Sequence, residues 1–116
     1  MPKQAATLHN EACAQALFAR VDGGVGAWRE RRLFGGVCLD GPHGLFCIVF
    51  GGRLYLRVDD VTRARHERAG MTAFRPYGGR AMRGYYEVPD EVLADGVQLR
   101  QWMQASAELP RGAESV

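Results

Sequence analysis

The sequence predicts an α+β domain, a two-layer sandwich in which a mainly antiparallel sheet of five or six strands carries helices packed on one face. Three observations predict it. Val37–Asp40, Leu45–Phe50 and Leu54–Val58 are apolar runs joined by the glycine turns "GPHG" and "GGR", which is the pattern of an antiparallel meander. Apolar residues recur at helical spacing near both ends of the chain. The length, 116 residues and 12.8 kDa, suffices for one core and not for two. Residues 1–116 are therefore read as a single domain with its core at about 10–108 and flexible ends at 1–9 and 109–116.

The elements follow in order. Cys13, Ala16, Leu17 and Val21 mark a first helix from Asn10, with Asn10 as its cap and "DGGVG" as its end. Trp28–Leu33 reads as a strand charged on alternate positions, and Gly35-Gly36 as a bend before the meander. "VDDVTRARHERAG" is a polar helix with Asp60 as its cap and Gly70 at its end. A strand at Thr72–Arg75, an arginine and glycine loop and the strand "GYYEV" come next. Pro89 suits the first position of a helix, with Asp90 and Glu91 at its positive end. Asp95 and Gln98 have the spacing of a capping box, and Leu99, Trp102, Met103 and Ser106 form one face of the closing helix.

Counting back from the turns gives a register and hence two faces. With Pro42 and His43 at the first tip, Asp40 opposes Leu45, Cys38 opposes Cys47 and Gly36 opposes Val49; with Gly51-Gly52 at the second, Val49 opposes Leu54 and Cys47 opposes Leu56. Cys38, Leu45, Cys47, Val49, Leu54, Leu56 and Val58 then share a smoother face, assigned to the core beneath the helices. The opposite face gathers Val37, Leu39, Phe46, Ile48, Phe50 and Tyr55, with Arg53 and Arg57 beside them. A two-layer domain has no third layer to cover it, so this face is the candidate surface for a protein partner, with a homodimer expected. The plainer alternative is that the closing helix or the long loop folds back over it.

Composition narrows the function classes. The formal charge is only +2, with Lys3 the sole lysine among the 15 basic residues, so the chain as a whole is no polyelectrolyte binder. Three cysteines without tight spacing and no apolar leader point to a reducing cytoplasm, and the apolar run Leu45–Phe50 is too short for a membrane helix. Cys38 and Cys47 could form a cross-strand disulfide or offer two metal ligands, but small buried thiols are the simpler reading. His9, His43 and His66 fall in a tail, a turn and an exposed helix, and Ser106 and Ser115 form no nucleophile elbow. "DGGVGAW" lacks the lysine of a phosphate loop and the third glycine of a dinucleotide turn. No catalytic residue, metal site or cofactor is expected. The best nucleic-acid candidate is "FRPYGGRAMRGYY", where Arg75, Arg80 and Arg83 alternate with Tyr77, Tyr85 and Tyr86; arginines grip phosphates and tyrosines stack on bases, but the low overall charge disfavours it.

The order of "RLFGG", the glycine hairpin, "RLYLRVDD", a helix ending in "RAG", then "MTAF", "YYEVPDEVLAD" and "LRQWMQAS" resembles the TfoX N-terminal domain family over about residues 18–107. Phe34-Gly35-Gly36, Leu54-Tyr55-Leu56 and Tyr86-Glu87-Val88-Pro89 carry most of the resemblance, and Pro42-His43 departs from the Asp-Gly usual at that turn. The resemblance implies a secretion-chaperone-like two-layer fold, no known catalytic residues and a regulatory role. In the competence regulators a second domain follows and the protein co-activates competence genes. A chain holding the first domain alone is expected to keep the interaction surface.

Overall fold

The computed structural model describes residues 2–112, with side chains from Leu8 onward except that of Tyr77. Its elements are helix α1 (Pro2–Phe18), strands β1 (Arg29–Leu33), β2 (Gly36–Gly41), β3 (Gly44–Phe50) and β4 (Arg53–Arg57), helix α2 (Asp60–Arg68), strand β5 (Ala73–Phe74), a 3-10 turn (Pro76–Gly78), strand β6 (Met82–Glu87) and helices α3 (Asp90–Leu93) and α4 (Gly96–Ala107). The six strands form one antiparallel sheet in the order β1-β2-β3-β4-β6-β5. The α+β two-layer arrangement is the one the sequence predicts. No helix among the described residues is long and apolar enough to cross a membrane.

The helices lie on one face. There α1, α3 and α4 close over Val37, Leu39, Phe46, Cys47, Val49, Leu54 and Leu56, with Phe18, Val92, Leu99, Trp102 and Met103 as the helical half of the core. The predicted face of α4 is the buried one, since Leu99, Trp102, Met103 and Ser106 all point inward. Asp95 caps α4 by accepting from the backbone of Val97 and Gln98. Asp59 rather than Asp60 caps α2, through a reciprocal pair of hydrogen bonds with Thr62. Gly96 lets α4 start hard against the end of α1, because a Cβ there would sit 2.2 Å from the Arg20 carbonyl oxygen.

Two departures from the sequence reading matter for the surface. First, α1 begins at Pro2, so Asn10 lies inside the helix instead of capping it. It is buried, donates through Nδ2 to the Gly35 carbonyl at 2.9 Å and accepts at Oδ1 from the Gly51 N–H at 2.9 Å. One amide thus ties the β1–β2 turn to the β3–β4 turn. Second, the β2–β3 register slips. Asp40 opposes Leu45 and Val49 opposes Leu54 as expected, but Leu39 opposes Cys47, Cys38 opposes Ile48 and Val37 opposes Val49. Phe46 is the extra residue of a β-bulge on β3, and everything in β2 before it changes face.

Candidate functional site

The face without helices is built from alternate residues of the sheet. Cys38 of β2, Ile48 of β3, Tyr85 of β6 and Phe74 of β5 form its buried floor, with Leu33, Phe34, Leu45, Phe50, Tyr55 and Met82 half-buried around them. Phe74 is the keystone. It belongs to the edge strand, where the ladder shifts between Ala73 and Phe74, and its ring reaches inward to lie 4.8 Å from that of Tyr55, 5.6 Å from Phe50 and 5.9 Å from Phe34. Offset and edge-on contacts of this kind add about 0.5–1.5 kcal/mol each beyond the area they bury. The chain covers the middle of this face itself, through Phe74 of strand β5 and not through the loop that follows it, while the outer rings stay half-buried.

Phe34 reaches that cluster from an unusual backbone. Its φ is +60° and that of Gly35 is +76°, so the β1–β2 connection is a two-residue turn with both central residues left-handed. Asparagine, aspartate or glycine normally takes such a position, and a large side chain there costs about 1–2 kcal/mol. The Asn10 amide on Gly35 helps to hold the turn.

Of the predicted face residues, Ile48, Phe50, Tyr55 and Arg53 are brought together here. Arg53 is exposed, 3.2 Å from Glu87 and 3.5 Å from Asp90. Burial raises the Tyr55 phenol, helped by the Glu87 carboxylate. Val37, Leu39 and Phe46 are corrections: the bulge turns all three into the core beneath the helices, and sends Cys38 and Leu45, assigned to that core, to the helix-free side. Arg57 is buried, and its guanidinium donates to the carbonyls of Leu109 and Pro110 just beyond α4. Ser106 on α4 bonds the Arg57 carbonyl at 2.8 Å, so this arginine ties the closing helix to the sheet and presents no contact surface. Phe34 and Phe74 were missed. The residues "LFGG" signalled a tight turn, but nothing in sequence shows a ring crossing from the sheet edge.

The arginine loop is less suited to nucleic acid than its composition implied. Arg75, Arg80 and Arg83 are exposed, and Arg75 donates to the Gly79 carbonyl at 3.1 Å. Tyr85 is 9% exposed and donates its hydroxyl to the Leu45 carbonyl, and Tyr86 is buried with its hydroxyl 2.8 Å from Glu67, so neither offers a ring for base stacking. The side chain of Tyr77 lies outside the described residues.

The groups with reactive potential are placed as follows. Cys38 and Cys47 are free and fully buried, and they do not oppose each other. Burial pushes the Cys38 thiol up to about 11 and raises that of Cys47 well above its ordinary value, which favours the unreactive form. His66, expected in solvent, is buried between the rings of Tyr86 and Trp102 and donates from Nδ1 to the Glu87 carbonyl at 2.7 Å. Burial lowers its basicity. His9 lies 3.5 Å from the half-exposed Cys13 thiol, and no group of three metal-ligating side chains occurs among the described residues.

A family model described as the TfoX N-terminal domain matches residues 17–109. The chain belongs to that family. The TfoX N-terminal domain match spans all six strands, α2–α4 and the last two residues of α1, and leaves out the part of α1 that carries Asn10. No curated protein matches the chain.

Proposed function

We propose that this TfoX N-terminal domain is a non-enzymatic regulatory module that acts through protein contacts, and that its helix-free sheet face pairs with the same face of a second copy. The observation that carries the reading is the half-buried aromatic set Phe34, Phe50 and Tyr55 around Phe74, displayed in part at the expense of a left-handed Phe34. A soluble domain that tolerates backbone strain to hold an aromatic ring at a surface has a use for that ring. Exposed Arg53 at the rim, with Glu87 and Asp90 beside it, supplies the polar border that interfaces carry. The non-enzymatic part of the reading is supported by the raised thiols of Cys38 and Cys47 and by the sealed environment of His66. A link to transcription or competence control is what the family relationship favours.

The test is the solution mass by light scattering over a wide range of concentration under reducing conditions. A dimer is expected for the natural sequence and a monomer for Phe50→Glu, with circular dichroism confirming that the variant keeps its fold. A natural chain that stays monomeric at every concentration would overturn the pairing.

A further inference from the structure

We infer that the outer edge of β1 is a docking site for an extended acidic segment of another protein, which adds to the sheet as a seventh strand beside Arg29–Leu33. The inference goes beyond the aromatic face and needs none of its rings.

β1 is the end strand of the sheet and is laddered to β2 alone. Arg29, Glu30, Arg31 and Arg32 are all exposed. An end strand leaves a row of backbone N–H and C=O groups unladdered on its outer side, a template for any chain whose side chains suit it. β1 selects that chain by charge. Arg29 opposes Asp40 and Arg31 opposes Cys38, which places both arginines on the helix-free face, while Arg32 reaches the other way to Glu11 of α1 at 3.1 Å.

On the helix-free side Arg29 and Arg31 meet Arg111, which follows α4, around a groove of about 510 Å³ floored by Asp40, Pro42 and Gly44. Asp40 holds Arg31 through Nε at 2.7 Å, which fixes the guanidinium without using its terminal amino groups in that contact. Three guanidinium groups face a single carboxylate, so the groove carries a positive excess. Carboxylates spaced two residues apart on an added strand would lie against Arg29 and Arg31 together, and an apolar residue further along would meet Leu33.

The charge order also disfavours a second copy of this strand relative to an acidic one. In every antiparallel pairing of β1 with itself that joins three or more residues about a two-fold axis, at least one like-charged pair stands opposite: Arg31 with Arg31, Arg32 with Arg32, Glu30 with Glu30, Arg29 with Arg32, or Arg31 with Arg32; only two of these registers offset it by setting Glu30 against an arginine. Nucleic acid is the poorer occupant because the groove offers no aromatic ring on which a base could stack.

The experiment is fluorescence anisotropy of the full chain with a labelled peptide of alternating glutamate and threonine ending in valine, beside its lysine counterpart and an oligothymidylate. Saturable binding of the glutamate peptide is expected, weakened about tenfold by Arg31→Glu and by Arg111→Glu, a change worth about 1.4 kcal/mol each. The lysine peptide is expected to prefer the Arg31→Glu protein, and Phe50→Glu is expected to leave binding unchanged, which separates failure here from failure of the face-to-face dimer. Amide exchange across Glu30–Arg32 should slow when the peptide is bound. Binding that ignores both charge reversals, that leaves those amides unprotected, or that the oligothymidylate matches under the same reversals would overturn the inference.

Discussion

The two faces of the sheet are closed by different means. Behind β2–β4 the helices supply a continuous layer, so Leu39, Val49, Leu54 and Leu56 meet Phe18, Leu99 and Met103 from elements that are themselves long and laddered. In front, a ring from a two-residue edge strand does much of the covering: Phe74 is buried in one cluster with Cys38, Ile48 and Tyr85, and the rings around it keep part of their surface in water. Equal burial at the centre therefore hides unequal support. A layer built from helices stabilises the whole domain, whereas a plug from an edge strand can open locally without unfolding the rest.

The largest effects should expose that inequality. Leu54→Ala removes a fully buried side chain beneath the helices and should cost about 3–4 kcal/mol, read from the denaturant midpoint with an unchanged slope. Phe74→Ala should cost about 3 kcal/mol and do something Leu54→Ala does not. With the plug gone, trypsin should cut first at Arg80 and Arg83 under native conditions, Arg75 being protected by the proline that follows it. Identical cleavage patterns for the two variants would mean that both faces are held by the same cooperative unit.

An intermediate effect comes from His66, which sits at the border of the helical layer. The groups facing it are Tyr86 of β6, Trp102 of α4 with the Arg65 guanidinium 3.9 Å over its indole, and the Glu87 carbonyl; Glu67 lies beyond, on the Tyr86 hydroxyl. Burial is the main reason its proton affinity is lowered, and the Arg65 charge adds to it while the Glu87 hydrogen bond opposes it. A histidine less basic in the folded state takes up a proton on unfolding. Stability is thus full above the unfolded value of about 6.5, falls as the pH drops through the range below it, and levels off once the folded residue is itself protonated. The slope in that window cannot exceed about 1.4 kcal/mol per pH unit for one proton, and His66→Gln should flatten it. Asp59 contributes only further down, because the backbone and hydroxyl of Thr62 hold its carboxyl below the usual range.

The same contrast explains what the sequence could show. The β3–β4 hairpin was legible because Gly51-Gly52 fixes its tip and nothing interrupts the alternation, so Val49 opposite Leu54 and Cys47 opposite Leu56 followed from counting. The β2–β3 hairpin was not, because Phe46 is apolar and fits an alternating pattern whether or not it is an inserted residue; the bulge is a property of the paired strands, and it moved Val37, Leu39 and Phe46 to the wrong side. Asn10 looked like a cap because a polar residue inside a helix is unfavourable unless something distant rewards it, and its two partners lie 25 and 41 residues away. Trp102 and Met103 were easy, since helical spacing alone decides which way they point.

The smallest expected change in stability is the sharpest probe of the helix-free face. Phe34→Asn should relieve about 1 kcal/mol of left-handed strain while giving up about 1 kcal/mol of contact with the Phe74 ring, so the denaturant midpoint should barely move. Association through that face should nevertheless weaken, because the substitution removes one of the three rings around Phe74 that carry the proposed contact. A variant that becomes clearly more stable and still dimerises would show that Phe34 adds strain without serving the interface. A variant that loses several kcal/mol would show instead that Phe34 belongs to the core, and that the helix-free face is as firmly closed as the one beneath the helices.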